Sequence, residues 1–252
     1  MIPVLELETV TCSYGDGPKT VTALDEVSLA VSVGELVAVM GPSGSGKSTL
    51  VHVSCGLVRP TSGAVRIGGQ SPAFLPGRRW WGERRRREVG VVHQRLNLVP
   101  GLTALENVAL PLELDGWRKS DARAAARHAL EEAGAADLVG LRSLELSVGE
   151  QQRVAVARAI VGDRPLVLAD EPTAALDSVG AETVVQLLAD LAHVGRAVLL
   201  VTHDSRLASW ADRVVVLRDG RVVDAIGAHL TDGRPAAAGS PGLPAAWPAM
   251  GT

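Results

Sequence analysis

The chain has 252 residues, 46% of them hydrophobic, which suffices for one sizeable α/β domain with room for an inserted subdomain and excludes global disorder. Its formal net charge of −3 offers no broad basic field for nucleic acid. Two cysteines, Cys12 and Cys55, are too few for a disulfide framework and suit a reducing compartment as small buried hydrophobes.

In chain order, residues 4–14 and 22–33 alternate apolar and polar side chains, as half-buried strands do. Residues 35–40 form a short apolar strand that stops at a glycine-rich turn, and a helical pattern follows over 47–55. Residues 65–67 and 88–93 read as further strands. The stretch 102–161 reads as helical, with Ala-rich segments such as 122–133. Strands return at 166–169, 197–201 and 214–217, with a helix over 182–192 between the first two. Buried strands alternating with helices imply a mostly parallel sheet, and the helical middle reads as an insertion. The expected organisation is one domain over 1–230, with an α/β core at 1–93 and 163–230 and a helical subdomain at 94–162. Residues 231–252, rich in Pro, Ala and Gly without apolar periodicity, are expected to be disordered. No internal repeat is visible, so one unit is expected rather than two fused ones.

No apolar run approaches the roughly 18 residues of a spanning helix, and the N-terminus, with Glu6 and Glu8, lacks a secretory pattern. Any membrane role is therefore expected to come through recruitment by a partner.

Gly41-Pro42-Ser43-Gly44-Ser45-Gly46-Lys47-Ser48-Thr49 fits G-x-x-x-x-G-K-[ST] between a strand and a helix. Glycines let successive backbone N–H groups converge on one anion, and the helix that follows points its positive end at it. Lys47 is placed to reach β- and γ-phosphates, and Ser48 to hold Mg²⁺ through its hydroxyl. The apolar run 166–169 ends in Asp170-Glu171. An acid at the end of a buried strand has to serve a ligand or be paired. Asp170 is expected to bind Mg²⁺, usually through water, and Glu171 to polarise the attacking water.

Taken with these, further segments resemble the ATP-binding cassette (ABC) ATPases. Leu146-Ser147-Val148-Gly149-Glu150-Gln151-Gln152-Arg153 resembles the family's signature, commonly Leu-Ser-Gly-Gly-Gln/Glu, about 20 residues before Asp170. Val91-Val92-His93-Gln94 resembles the Q-loop, Ala174-Ala175-Leu176-Asp177 the D-loop, and Val201-Thr202-His203-Asp204 the switch-histidine segment. Tyr14 matches the aromatic that stacks on adenine. The ordered set covers residues 4–226. The stretch 97–111 resembles the subgroup that serves lipoprotein-releasing and macrolide-export permeases; the cell-division member of the same branch, which signals through a permease without transport, is the alternative.

The resemblance implies an α/β P-loop NTPase fold of the RecA-like kind: a mostly parallel sheet, an antiparallel β portion and an inserted helical subdomain. It implies ATP and Mg²⁺ as ligands, and two copies that sandwich two ATP molecules head to tail. Ser147, Gly149 and Glu150 of one copy would then meet the nucleotide held by residues 41–49 of the other. Gln94 would sense Mg²⁺ and water, with its loop touching the permease, and His203 would contact the γ-phosphate. The expected partners are a transmembrane permease and a second copy of the chain, with no nucleic acid. The expected location is the cytoplasmic face of the cell membrane. A DNA-repair cassette would carry a long coiled-coil insertion, yet the stretch of about 100 residues between loop and signature has no sustained heptads. A small-molecule kinase would explain Lys47 and Asp170 but not the ordered signature.

Val148 stands where the family usually has glycine; if that position needs positive φ, valine is strained there by on the order of 1–3 kcal/mol. The basic run Arg84 to Arg87, with Arg78 and Arg79 beside Trp80 and Trp81, reads as a solvated face, with anionic lipid or the permease as the alternative contact.

Overall fold

The computed structural model describes residues 3–15, 17–71, 82 and 86–227. The tail expected at 231–252, and Arg78, Arg79, Trp80, Trp81, Arg84 and Arg85 of the basic run, lie outside the described residues.

The labelled elements run in chain order: β1 (Leu5–Tyr14), β2 (Val21–Val31), β3 (Leu36–Met40), α1 (Lys47–Ser54), β4 (Ser62–Ile67) and β5 (Val89–Val92). Three helices follow, α2 (Ala104–Leu114), α3 (Lys119–Glu132) and α4 (Val148–Ile160). Then come β6 (Leu166–Asp170), α5 (Ser178–His193), β7 (Ala197–Val201), α6 (Ser205–Ala208), β8 (Arg213–Arg218) and β9 (Arg221–Gly227).

β1 and β2, expected as half-buried strands, pair antiparallel, and β4 adds to the other edge of β1, giving a three-stranded sheet β2-β1-β4. The continuously apolar strands take the centre of a second sheet, β5-β6-β7-β3-β8-β9, parallel from β5 to β8 with β9 antiparallel to β8. Every residue of β3, β6 and β7 is buried, because both faces of this sheet are covered.

The two-residue period divides these strands between two cores. Val37, Val39, Leu166, Leu168, Leu199 and Val201 face α1 and the antiparallel sheet. Val167, Ala169, Val198 and Leu200 face the other way, into a core shared with α2, α3, α4 and α5. The helical middle is thus joined to the sheet through α4, which packs on both α2 and α3 and on β5. Buried Asn107 on α2 holds the preceding turn, accepting from the Val99 N–H at 2.7 Å and donating to the Val99, Leu102 and Thr103 carbonyls.

Two features differ from the sequence expectation. The helix expected over 182–192 starts at Ser178, since the Asp177 carboxylate accepts from the Gly180 N–H at 2.8 Å and caps it. β9, largely exposed, follows β8 through a tight turn at Asp219 and Gly220, both at positive φ, in a segment without strong alternation.

Candidate functional site

β3 ends at Met40 and the chain turns through residues 41–46 into α1. Two glycines have no substitute here. A Cβ at Gly41 would lie 2.1 Å from the Leu217 carbonyl oxygen, and one at Gly46 2.2 Å from the Ala23 carbonyl oxygen. Gly46 also sits at φ 101°, closed to L side chains, as the residue that admits the chain to the helix. The Lys47 side chain folds back over the loop, and its Nζ donates to the Gly41 and Pro42 carbonyls, 2.8 Å each. Lys47 is buried, yet it is among the residues that line the open space beside the loop. Ser45 Oγ is buried with no hydrogen-bond partner in the structure.

The two acids at the end of β6 diverge. Asp170, 6% exposed, accepts from the Ser48 hydroxyl at 3.3 Å. Glu171 leaves the strand at φ 47°, a backbone conformation that costs a non-glycine residue on the order of 1–3 kcal/mol. Its N–H donates to the Val201 carbonyl at 3.0 Å, which keeps the turn on the end of β7. The kink aims the Glu171 carboxylate at His203, whose Nδ1 lies 2.8 Å from Oε2. Glu171 is mostly covered while His203 is exposed.

These pieces line one open cleft of about 670 Å³, bounded by residues 41–44 and 46–49, Gln94, Glu171 and His203. Ala23 also lines it, from β2. Sequence reasoning missed Ala23, because a small residue in an alternating strand carries no chemical signal. Asp170 stands behind Ser48, and Tyr14 stands beside Thr49, donating from its hydroxyl to Thr49 Oγ1 at 3.4 Å. Partial burial pushes the Tyr14 phenol up, and the bond to Thr49 offsets only part of this.

Ser147, Gly149 and Glu150 are elsewhere, at the start of α4. Ser147 caps the helix: the Glu150 N–H donates to its Oγ at 3.4 Å, while the Ser147 N–H and hydroxyl donate to Glu150 Oε2 at 2.7 and 2.8 Å. The backbone N–H of Ser147, then its hydroxyl, hold the Glu150 carboxyl below the usual carboxylate range. Val148 is the first helical residue, with ordinary helical backbone, so the strain considered for it is absent; its side chain is 46% exposed. A Cβ at Gly149 would meet nothing of this chain within 4 Å. A glycine early in a helix, required by neither backbone nor packing, leaves a small open surface at the helix's positive end.

Among the described residues no cluster of three His, Cys, Asp or Glu side chains forms a ready metal cage. Asp170 and Ser48, in contact, with Gln94 on the same cleft, supply hard oxygen donors to a partial shell. That set fits Mg²⁺, which takes one or two protein oxygens and fills its other positions with phosphate oxygens and water.

Comparison with known proteins gives a consistent set of similarities. The family described as ABC transporter matches residues 24–174. The chain is 46% identical over 225 residues to the lipoprotein-releasing system ATP-binding protein LolD of Geobacter metallireducens, covering 88% of this chain and 99% of that protein. It is 41% identical over 241 residues to the macrolide export ATP-binding/permease protein MacB of Burkholderia thailandensis. That match takes in 95% of this chain but spans only 37% of the longer relative. Among solved structures, the dimeric bacterial ABC transporter cassette MJ0796 superposes with a TM-score of 0.81 at 38% identity, over 89% of this chain and 99% of that one. The same cassette in a dimeric post-hydrolysis state bound to ADP and phosphate gives 0.81 at 39% identity.

Proposed function

The chain belongs to the ABC transporter family, and from that premise we propose that it binds ATP with Mg²⁺ in the cleft of residues 41–49, pairs with a second copy across two nucleotides, and hydrolyses ATP to drive a membrane permease. The observation that carries the pairing is the position of α4. Ser147 and the bare Gly149 surface lie outside the cleft of their own chain, so one copy alone leaves its nucleotide uncapped.

Each residue's role follows from its surroundings. The loop N–H groups and the start of α1 hold the phosphates, with Gly41, Pro42, Ser43, Gly44, Ser45 and Gly46 shaping the cradle and Thr49 closing it. Lys47 exchanges its carbonyl partners for β- and γ-phosphate oxygens, trading neutral acceptors for charged ones. Ser48 and Asp170, with Gln94, would hold Mg²⁺, whose chemistry is to neutralise charge on the phosphates. Glu171 accepts a proton from the attacking water, and His203, 2.8 Å from its Oε2, fixes the carboxylate and meets the γ-phosphate. The Tyr14 ring, tethered to Thr49, offers a face to the adenine. Ser147, Gly149 and the positive end of α4 cap the γ-phosphate bound by the partner. Ser147 has first to give up its bonds to Glu150, so closure exchanges an internal anion for an external one. Hydrolysis then weakens the tie that ATP makes between the two surfaces, and the pair reopens.

No described helix is long and apolar enough to cross a membrane. The likeness to LolD and to part of MacB supports a permease of the lipoprotein-release or export type, with this domain on the cytoplasmic face. Co-purification of a membrane protein with the tagged chain tests that assignment. The decisive experiment for the pairing is light scattering of Glu171→Gln with and without Mg-ATP. A monomer that becomes a dimer only with ATP, and fails to do so when Ser147→Ala is added, is the expected result. A dimer that forms equally without ATP, or survives Ser147→Ala unchanged, contradicts the sandwich.

A further inference from the structure

α4 carries different machinery at its two ends. Its first turn presents Ser147 and Gly149, while its second half is locked onto the segment that delivers Gln94 to the cleft. Three contacts make the lock. A Cβ at Gly90 of β5 would lie 1.9 Å from the Ala159 carbonyl oxygen, so helix and strand meet backbone to backbone. Arg158, on α4, donates from Nη2 to the Leu96 carbonyl at 2.6 Å and from Nη1 to the Asn97 carbonyl at 2.7 Å. Those carbonyls are two and three residues beyond Gln94, where Asn97 turns the chain at φ 51°. Arg164, just past the helix, donates from Nη1 to the Arg158 and Ala159 carbonyls and from Nε to the Arg86 carbonyl at 3.0 Å, ahead of β5.

The segment bearing Gln94 is therefore bracketed by two guanidiniums fixed to one helix. Arg164 is buried and Arg158 partly so, and burial lowers both, bringing Arg164 to about 10 with the neighbouring Arg158 charge adding to the effect. Buried charge spent on main-chain carbonyls is an expensive way to stabilise a fold, since an apolar contact would do it without desolvating a cation. What a forked guanidinium adds is a fixed direction between two elements. A straight helix transmits displacement along its axis, and Val148 to Arg158 is about 15 Å at 1.5 Å per residue.

We propose that Arg158 is a positioning residue that couples the two nucleotides of the pair: α4 faces the partner's nucleotide at its first turn and, through Arg158, sets the loop that places Gln94 at its own. This rests on the sandwich reading above. Closure over one nucleotide shifts α4, and the shift reaches the other nucleotide through the Leu96 and Asn97 carbonyls. Lysine at 158 supplies one point charge in place of the fork and holds the loop only in part.

The test uses the full chain and the variants Arg158→Gln and Arg158→Lys, with four readouts: affinity of the single chain for a fluorescent ATP analogue, ATP-driven pairing in the Glu171→Gln background, the Hill coefficient of ATP hydrolysis, and hydrogen exchange over residues 94–99. Two coupled sites allow a Hill coefficient approaching about 2 in the parent chain. Arg158→Gln should bind and pair within about twofold of the parent while its Hill coefficient falls to about 1, with Arg158→Lys between. Hydrogen exchange over residues 94–99 should slow on pairing in the parent and not in Arg158→Gln. An Arg158→Gln chain that pairs and keeps the parent's Hill coefficient and exchange overturns the proposal, as does a parent with no cooperativity. If Arg158→Gln does not fold, the same criteria apply to Arg158→Lys. Failure of the sandwich itself shows separately, as a Glu171→Gln background in which ATP produces no pairing.

Discussion

Glu171 illustrates what a single residue does at this site. Its positive φ, held by the N–H bond to Val201, turns its carboxylate away from Asp170 and onto His203. Replacing it by glutamine keeps the shape and removes the carboxylate proposed as the base, and ATP turnover should fall roughly 10²–10⁴-fold with nucleotide affinity preserved. At Gly46 the constraint is steric. Gly46→Ala forces a Cβ to within 2.2 Å of the Ala23 carbonyl at an unfavourable φ, so urea unfolding should show a loss of at least about 1–3 kcal/mol together with weakened ATP binding. Tyr14 is the chain's one tyrosine, so absorbance at 295 nm during an alkaline titration reads it alone among phenols. Its midpoint should lie above the ordinary value, because burial disfavours the phenolate. A raised folded-state value means that any stability it contributes is whole below the unfolded value and is lost as pH rises through the folded one. That these residues are candidates for the site was legible in the sequence, since the glycines, Lys47 and the acid pair declare themselves by type and spacing. The Glu171–His203 contact was not, because it joins residues 32 positions apart through a backbone kink that no motif encodes.

The start of α4 is a capped helix end that, in the proposed pairing, also meets a ligand. Ser147 caps the helix, so Ser147→Ala should lower stability by about 0.5–2 kcal/mol in addition to impairing ATP-dependent pairing, and thermal unfolding separates the two effects. Val148→Gly should act in the opposite sense to a strain-relieving change: valine is unstrained and half exposed, so glycine costs about 0.2–0.5 kcal/mol of helix stability. Measuring ATP-driven pairing of that variant then shows whether the exposed isopropyl group bears on closure. At the other end of α4, Gly90→Ala should push helix and strand apart, costing about 1–3 kcal/mol by overpacking. Element type was readable where period and length agreed, as in β3, β6, β7 and the Ala-rich α3. It was not readable in β9, whose exposed residues pack too little to leave a pattern.

For the whole molecule, the division into a core of 1–93 and 163–230 and a helical subdomain of 94–162 is a proposal about relative stability. Hydrogen exchange should find α2 and α3 opening at lower free energy than β3, β6 and β7, whose residues are all buried between two layers. α4, packed on the helices and on β5, should behave as the joint between them.

The sequence by itself determined the class of this protein, because phosphate binding, metal holding and signature each demand residue types at short fixed spacings, and their order along the chain is a one-dimensional fact. Short apolar runs alternating with helices likewise implied a mostly parallel sheet. Tertiary structure alone decided which of these pieces stand together. It gathers residues 41–44 and 46–49, Gln94, Glu171 and His203 into one cleft while placing Ser147 and Gly149 outside it. It also spends Arg158 and Arg164 on distant carbonyls. Such contacts depend on how layers pack across long sequence separations, where directional hydrogen bonds and close backbone approach, rather than local propensity, select the partner.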